Sequence, residues 1–398
     1  MNKIKGLLNR CMQKISVRSF LVIGTLILLI INVNPVTSSF QKTAFNDNYY
    51  KNVYYTYDGL TDLLYELKQE YPDIFNFSSL GTTWEGRDIW LVKISDNVSL
   101  DEGEPSVLYT GGIHGNEDPG YQVVIYSLKA IVENYTYPYV NESFTNRIKS
   151  AVNSTELYFI PMLNPDGIES HVRKNRKPTQ GFFGMTLLSK KFWGIDLHHN
   201  FDFNWDDVYE HPFKYIKIPR SLRDLISLIK DKNSWIGERT AIVNPRSDLL
   251  SLIGSGMYRG PYAFSEEETQ AVKSFVENHT ISIHLDYHIP GEFIYCSGLK
   301  DYNNPSDKIT ILSIANNMSK INGYRSPTGE VKAFKWLNYS GAFGQWMYKV
   351  QNVYSFGIEL CVSMEQGLSP DKAYINEVWY THLLVNLYLA ERVQEIDI

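Results

Sequence analysis

Cysteine is scarce, with three in 398 residues. Cys11 lies near the start, and Cys296 and Cys361 lie far apart near the end. One disulfide between the last two is allowed, but a cysteine-stapled scaffold is excluded. There is no excess of basic charge either. Lys and Arg number 38 against 44 Asp and Glu, a net charge of −6. No basic stripe runs along the chain, which argues against nucleic acid as a partner. No repeat, low-complexity tract or Pro/Ser-rich linker follows Asn48. What is present is 43% hydrophobic and 14% aromatic residues, enough for one substantial core.

No apolar run reaches the roughly 20 residues of a membrane span. The longest, "FLVIGTLILLII" from Phe20 to Ile31, follows Lys3, Lys5, Arg10, Lys14 and Arg18 with no acidic residue among them. Asn32, Asn34 and Pro35 close it. This pattern reads as a secretory signal, with small residues Val36 and Ser38 at the spacing a signal peptidase accepts. Cleavage after Ser38 is expected, with an uncleaved N-terminal anchor as the alternative. Losing residues 1–38 removes five basic residues and no acidic one, so the remainder is more acidic. Asn-x-Ser/Thr sequons at Asn76, Asn97, Asn134, Asn141, Asn153, Asn278, Asn317 and Asn338 fit a secreted glycoprotein.

Beyond a short linker at 39–49, residues 50–398 alternate helical and strand-like segments. That favours a single α/β domain, a mixed and mostly parallel twisted sheet flanked by helices. Helices are predicted over 57–73, 119–135, 266–277, 306–320 and 372–394, the first with Leu60, Leu63, Leu64 and Leu67 on one face. Strands are predicted over 88–95, 105–113, 156–164, 280–288, 292–296 and 354–360. Residues 202–255 read as long loops with one helix.

The segment "GGIHGNEDPG" (111–120) sets His114 three residues before Glu117. Asp118 is a good N-cap and Pro119 a good first helical residue. His114 and Glu117 therefore lie on the turn leaving a strand's carboxyl end, where open α/β sheets place their sites. Gly111, Gly112 and Gly115 allow the tight bend. A catalytic zinc takes three protein ligands and leaves one position open, so a third ligand is required. "TISIHLDYHIPGEF" offers two histidines. Ile281, Ile283, Leu285 and Tyr287 alternate onto one strand face, leaving Ser282, His284, Asp286 and His288 on the other. His284 and His288 stand about 13 Å apart on a straight strand, so only one can bind the ion. His288, at the carboxyl end, is the better candidate. His284 reads as an interior histidine or one that supports a ligand. Glu359 interrupts the apolar strand "YSFGIELCV". A buried carboxylate there must either pair with an arginine or act as a general base.

With these residues in place, the chain resembles the zinc metallocarboxypeptidases of the carboxypeptidase A/B/T type over most of 50–396. "YDGL…YPDI" and "LGTTWEGRDIWLVKISDN" are similar to the family's opening segment, and "GGIHGNE" to its zinc motif. "PMLNPDG…RKNR", "YRGPYAFSEEETQAV", "DYHIPGEFIY" and "YSFGIEL" follow in the family's order. The resemblance implies a peptidase acting on free C-termini with one zinc ion held by His114, Glu117 and His288. It implies Glu359 as the base that activates water, and Arg173 in "VRKNR" as the group stabilising the oxyanion. It further implies peptide or protein C-termini as partners and a monomeric enzyme. Membrane contact is expected only if the leader stays attached. No globular prosegment is expected.

Two departures stand out. Where the family reads "DLNRNF", this chain reads "DLHHNF" (196–201), placing His198 and His199 where an asparagine and an arginine grip the substrate carboxylate. Imidazole lacks arginine's permanent bidentate charge, so a weaker and more pH-dependent grip is expected. In "WLNYSGAFGQW" (336–346) the capping tyrosine's place falls on Leu337, with Tyr339 as its substitute. Gly344 falls where a side chain sets the preference for the released residue, which implies a roomy, uncharged pocket. Asn338 would lie beside that site and is not expected to carry a glycan. Three readings follow: an exported zinc carboxypeptidase, a zinc hydrolase of blocked or cell-wall peptides, and a non-catalytic binding protein.

Overall fold

Tyr57 to Glu70 form the first helix, α1, because Thr56 caps it: its hydroxyl accepts from the Gly59 amide. The four predicted leucines are its buried face. It stops short of residue 73 because Pro72 cannot continue it. In the computed structural model, residues 54–138, 140–178, 193–205, 258–297, 305–327, 341–361 and 372–396 are described. The leader, the 39–49 linker, most of 202–255, Leu337, Asn338 and Tyr339 lie outside them. Asn52–Ile398 is one compact unit.

The strands are β1 (Phe75–Thr82), β2 (Asp88–Ile94), β3 (Ser106–Gly111), β4 (Glu156–Ile160), β5 (Ile283–His288), β6 (Phe293–Cys296) and β7 (Tyr354–Glu359). The further helices are α2 (Asp118–Thr136), α3 (Glu142–Val152), α4 (Pro165–Glu169), α5 (Glu267–Asn278), α6 (Pro305–Asn322), α7 (Phe343–Lys349) and α8 (Lys372–Arg392). The strands form one sheet in the order β1-β2-β4-β3-β5-β7-β6. Its centre, β4-β3-β5-β7, is parallel. The outer pairings β1–β2, β2–β4 and β6–β7 are antiparallel. The expected mixed α/β sheet is thus present, with its parallel part confined to the middle.

Sequence patterning missed β1, α3, α4 and α7. β1 is an edge strand whose side chains are mostly half-buried or exposed, so it lacks apolar alternation. α4 and α7 are five and seven residues long, too short for a 3.6-residue period to emerge. α3 carries a signal that was available: Asn141 accepts from the Phe144 amide as N-cap, and Phe144, Ile148, Ala151 and Val152 are buried.

β5 is buried on both faces. Tyr287 points to one side, where its hydroxyl donates to Asn386 Oδ1 of α8. His284 lies on the other, its ring 4.5 Å from that of Phe343 in α7. The polar alternation read from sequence therefore places His284, Asp286 and His288 on the face under α7. On that face Phe201, Phe264, Phe343 and Trp346 pack into one cluster, with Phe201 stacked on Phe343 at 4.3 Å.

Several expectations change. Cys296 and Cys361 are buried free thiols, not a disulfide. Asn134 is 1% exposed, its amide donating to the Ala130 carbonyl, so this sequon cannot carry a glycan in the folded chain. Among the described residues no helix is long and apolar enough to cross a membrane.

Candidate metal centre

β3 ends at Gly111, and the chain turns before α2 begins at Asp118 with Glu117 as its N-cap. The helix thus starts one residue earlier than expected, an ordinary uncertainty at a helix end. Of the three glycines, Gly112 supplies the left-handed backbone at φ +67°. Gly115 serves close approach instead: a Cβ there would lie 2.1 Å from the Gly167 carbonyl carbon. Asn164 holds the turn in place, its amide donating to the carbonyls of Ile113 at 3.2 Å and Arg173 at 3.4 Å.

This turn and the end of β5 bring His114, Glu117 and His288 together, their ligand atoms all within 4.8 Å of one another. His114 Nδ1 is 2.9 Å from Glu117 Oε1. His288 Nδ1 is 3.0 Å from Glu117 Oε2 and 3.2 Å from His114 Nδ1. The last spacing is close to the roughly 3.3 Å edge of a tetrahedron with zinc–nitrogen bonds of about 2 Å. Each far nitrogen meets a carboxylate: His114 Nε2 is 3.2 Å from Asp196 Oδ1, and His288 Nε2 is 2.6 Å from Asp286 Oδ2. That backing presents Nδ1 to an ion and raises its basicity. Two imidazoles and a carboxylate so arranged fit zinc.

Charge in the site is dense. Burial alone would push the Glu117 carboxyl up, but His114 and His288 hold it well below the usual range. Asp196 behaves likewise, with Arg173 its strongest opposing neighbour. Arg173 Nη1 donates to Glu117 Oε1 at 3.1 Å and its Nε to Asp196 Oδ2 at 3.0 Å. Glu359 sits at the end of β7, paired in register with His288. Burial lifts its carboxyl to about 7, and its buried Oε2 has no hydrogen-bond partner among the described residues.

The turn carrying "DLHHNF" is fixed by Asn200. Its amide donates to the Arg259 carbonyl at 2.7 Å and to Ser265 Oγ at 2.9 Å, and its Oδ1 accepts from Thr269 at 2.7 Å. His198 stands beside the trio, its ring 5.1 Å from His288 and 5.6 Å from His114. Burial, then the charges of His288, His199 and His114, keep it neutral. His199 is buried, its Nδ1 3.2 Å from Asp196 Oδ2. Tyr339 is outside the described residues. The segment just beyond it packs here, since a Cβ on Gly341 would meet the His199 carbonyl oxygen at 2.1 Å.

Gly344 corrects an expectation. A Cβ there would lie 2.3 Å from Ser297 Oγ and 3.1 Å from Ser355 Oγ. The room that a missing side chain suggested is filled by these two serines, and glycine is required by their approach.

Sequence reasoning did not assign roles to Asp196, Asp286, Asn164 or Thr110. Asp286 had a usable signal, standing two residues before His288 on the same strand face. Asp196 opens the quoted "DLHHNF". Asn164 and Thr110 act across the fold and carried no local sign.

An open α/β sheet with a His/Glu/His trio beyond the ends of its parallel strands defines a metal-site protein of the kind that binds ligands at that edge. Residues 60–217 and 253–384 match the zinc carboxypeptidase family, and the chain belongs to that family. It is 32% identical over 163 residues to a zinc carboxypeptidase of Saccharothrix mutabilis subsp. capreolus, covering 38% of this chain and 34% of that protein. The chain thus spans about a third of that relative's length. Among solved structures it resembles thrombin-activatable fibrinolysis inhibitor, with TM-score 0.64 and 18% identity over 90% of this chain and 80% of that one. It also resembles carboxypeptidase A from Helicoverpa armigera, with TM-score 0.60 and 19% identity over 91% and 76%. At such identity these likenesses speak for the fold alone.

Proposed function

We propose that the chain is an exported zinc carboxypeptidase removing single residues from the free C-termini of peptides. One observation carries this reading: two imidazole nitrogens and a carboxylate converge within 4.8 Å in a member of the zinc carboxypeptidase family. His114, Glu117 and His288 hold the ion. When bound, zinc supplies a Lewis acid that polarises the scissile carbonyl and makes water nucleophilic near neutral pH. Glu359 takes the proton of the attacking water and passes it to the leaving amine; burial keeps its carboxylate basic enough to do so. Arg173, anchored on Glu117 and Asp196 yet one-third exposed, stabilises the charge developing on the carbonyl oxygen.

His198, beside the trio, and His199 next to it form the substrate side. A terminal carboxylate meets imidazoles there, so its grip rests on hydrogen bonds and not on a bidentate guanidinium. Export rests on the basic leader and apolar run of residues 1–38. Every residue invoked in the chemistry lies within Asn52–Ile398, so the proposed site needs no second chain.

The test incubates the zinc-loaded full chain with paired peptides, free acid and C-terminal amide, across a pH series. Stepwise release from the free acid, absent in Glu359→Gln, is expected. Release from amides alone, or from neither, would sink the carboxypeptidase reading. It would favour a hydrolase of blocked or cell-wall peptides, the reading that His198 and His199 motivate.

A further inference from the structure

Behind the metal trio, a chain of hydrogen bonds crosses three adjacent strands. Ser355 Oγ on β7 is 3.0 Å from His284 Nδ1 on β5. His284 Nε2 is 2.9 Å from Thr110 Oγ1 on β3. Thr110 Oγ1 donates to Asp286 Oδ1 at 2.7 Å, and Asp286 Oδ2 is 2.6 Å from His288 Nε2. Strand register makes this possible: Thr110 pairs with Asp286, and His284 with Ser355. All four supporting residues are at most 2% exposed, out of reach of bulk water.

Counting hydrogens gives the chain one direction. An ionised Asp286 only accepts, and the Thr110 hydroxyl has a single hydrogen, which it gives to Asp286. His284 must therefore donate from Nε2 to the Thr110 oxygen. A neutral His284 then accepts at Nδ1, so Ser355 donates to it. In the opposite sense, two oxygen lone pairs would face each other at 2.7 Å between Thr110 and Asp286. With both its oxygens held, Asp286 keeps Oδ2 on His288 Nε2–H and leaves Nδ1 turned toward the trio.

We propose that Thr110 and His284 are positioning residues for the metal centre: they orient Asp286, and through it the ligand His288. This rests on the zinc reading of the trio. The same bonds argue against a second metal position at His198, Asp286 and His288, although their donor atoms lie within 4.8 Å. Both oxygens of Asp286 and the Nε2 of His288 are already engaged.

The test compares the unmodified full chain with Thr110→Val and Thr110→Ser. Zinc affinity is measured by competition with a chelator, and metal-free stability by urea denaturation. Partners that orient metal ligands are worth about 10–100-fold in affinity, and Thr110 stands one bond further out. Thr110→Val should therefore weaken zinc about tenfold, and Thr110→Ser, which keeps the hydroxyl, should recover the affinity to within about threefold. A purely structural threonine would lower the urea midpoint and leave the zinc affinity unchanged, which would overturn the inference. Should Thr110→Val not fold, nitrogen-15 NMR of histidine-labelled unmodified protein decides: His284 protonated at Nε2 supports the inference, and at Nδ1 overturns it. An unmodified chain that binds no zinc would overturn the zinc reading itself, and this inference with it.

Discussion

As the proposed base, Glu359 must be ionised to accept a proton, and burial holds its carboxyl up to about 7. A bound dication beside it favours the ionised form and pulls that value down. Turnover should therefore rise with pH through an apparent pKa at or below about 7, read from kcat/KM across pH. Glu359→Gln should lower kcat by about 10²–10⁴-fold while zinc content stays unchanged. Glu268 gives a separate residue-scale prediction. Burial first, and the charge of Glu266 second, raise it from 4.5 to about 8. It is thus protonated in the folded chain where the unfolded chain is ionised. Its contribution to stability is fully present below about 4.5 and is lost as pH rises through about 8, at roughly 1.4 kcal/mol per pH unit. Urea denaturation at pH 5 and pH 8 should show that loss in the unmodified protein, and a smaller one in Glu268→Gln.

At the scale of elements, the centre depends on how closely α2 meets the sheet. A Cβ on Gly120 would stand 2.6 Å from the Tyr287 carbonyl oxygen at the end of β5. Gly120→Ala should push the start of α2, and Glu117 with it, away from His288. About 1–3 kcal/mol of destabilisation is expected, together with weaker zinc binding; denaturation and chelator competition measure the two. Short elements also explain where sequence patterning stopped. The buried strand β5 was legible because its apolar and polar residues alternate. α7 was not, because seven residues hold under two turns and include Gly344.

For the whole molecule, zinc held as proposed would join segments far apart in the chain. His114 and Glu117 follow β3, while His288 ends β5, so an ion on the trio would tie together strands that are neighbours only in the folded sheet. Because the trio does not exist in the unfolded chain, binding adds to folding stability. At free zinc about 100 times its Kd the gain is about 2.7 kcal/mol. Removing zinc with a chelator should lower Tm in calorimetry, and His288→Ala should abolish the difference between loaded and stripped protein. Equal melting of the two forms in the unmodified chain would sink the assignment of the trio.

Some of this was decided by the sequence alone. The helical face of Leu60 to Leu67, the alternation of β5 and the His114–Glu117 spacing are local patterns, set by periods of 3.6 and 2 residues and by the geometry of one turn. They were enough to nominate the three residues that converge. The tertiary structure decided what surrounds them. Asp196, Asp286, Thr110 and Asn164 work through hydrogen bonds to partners 51 to 176 positions away, or through a strand-face neighbour whose meaning depends on those partners. Two serines, one of them on β7, decided that Gly344 leaves no room. Contacts of that range arise from the order in which strands pair, and no spacing within the chain encodes that order.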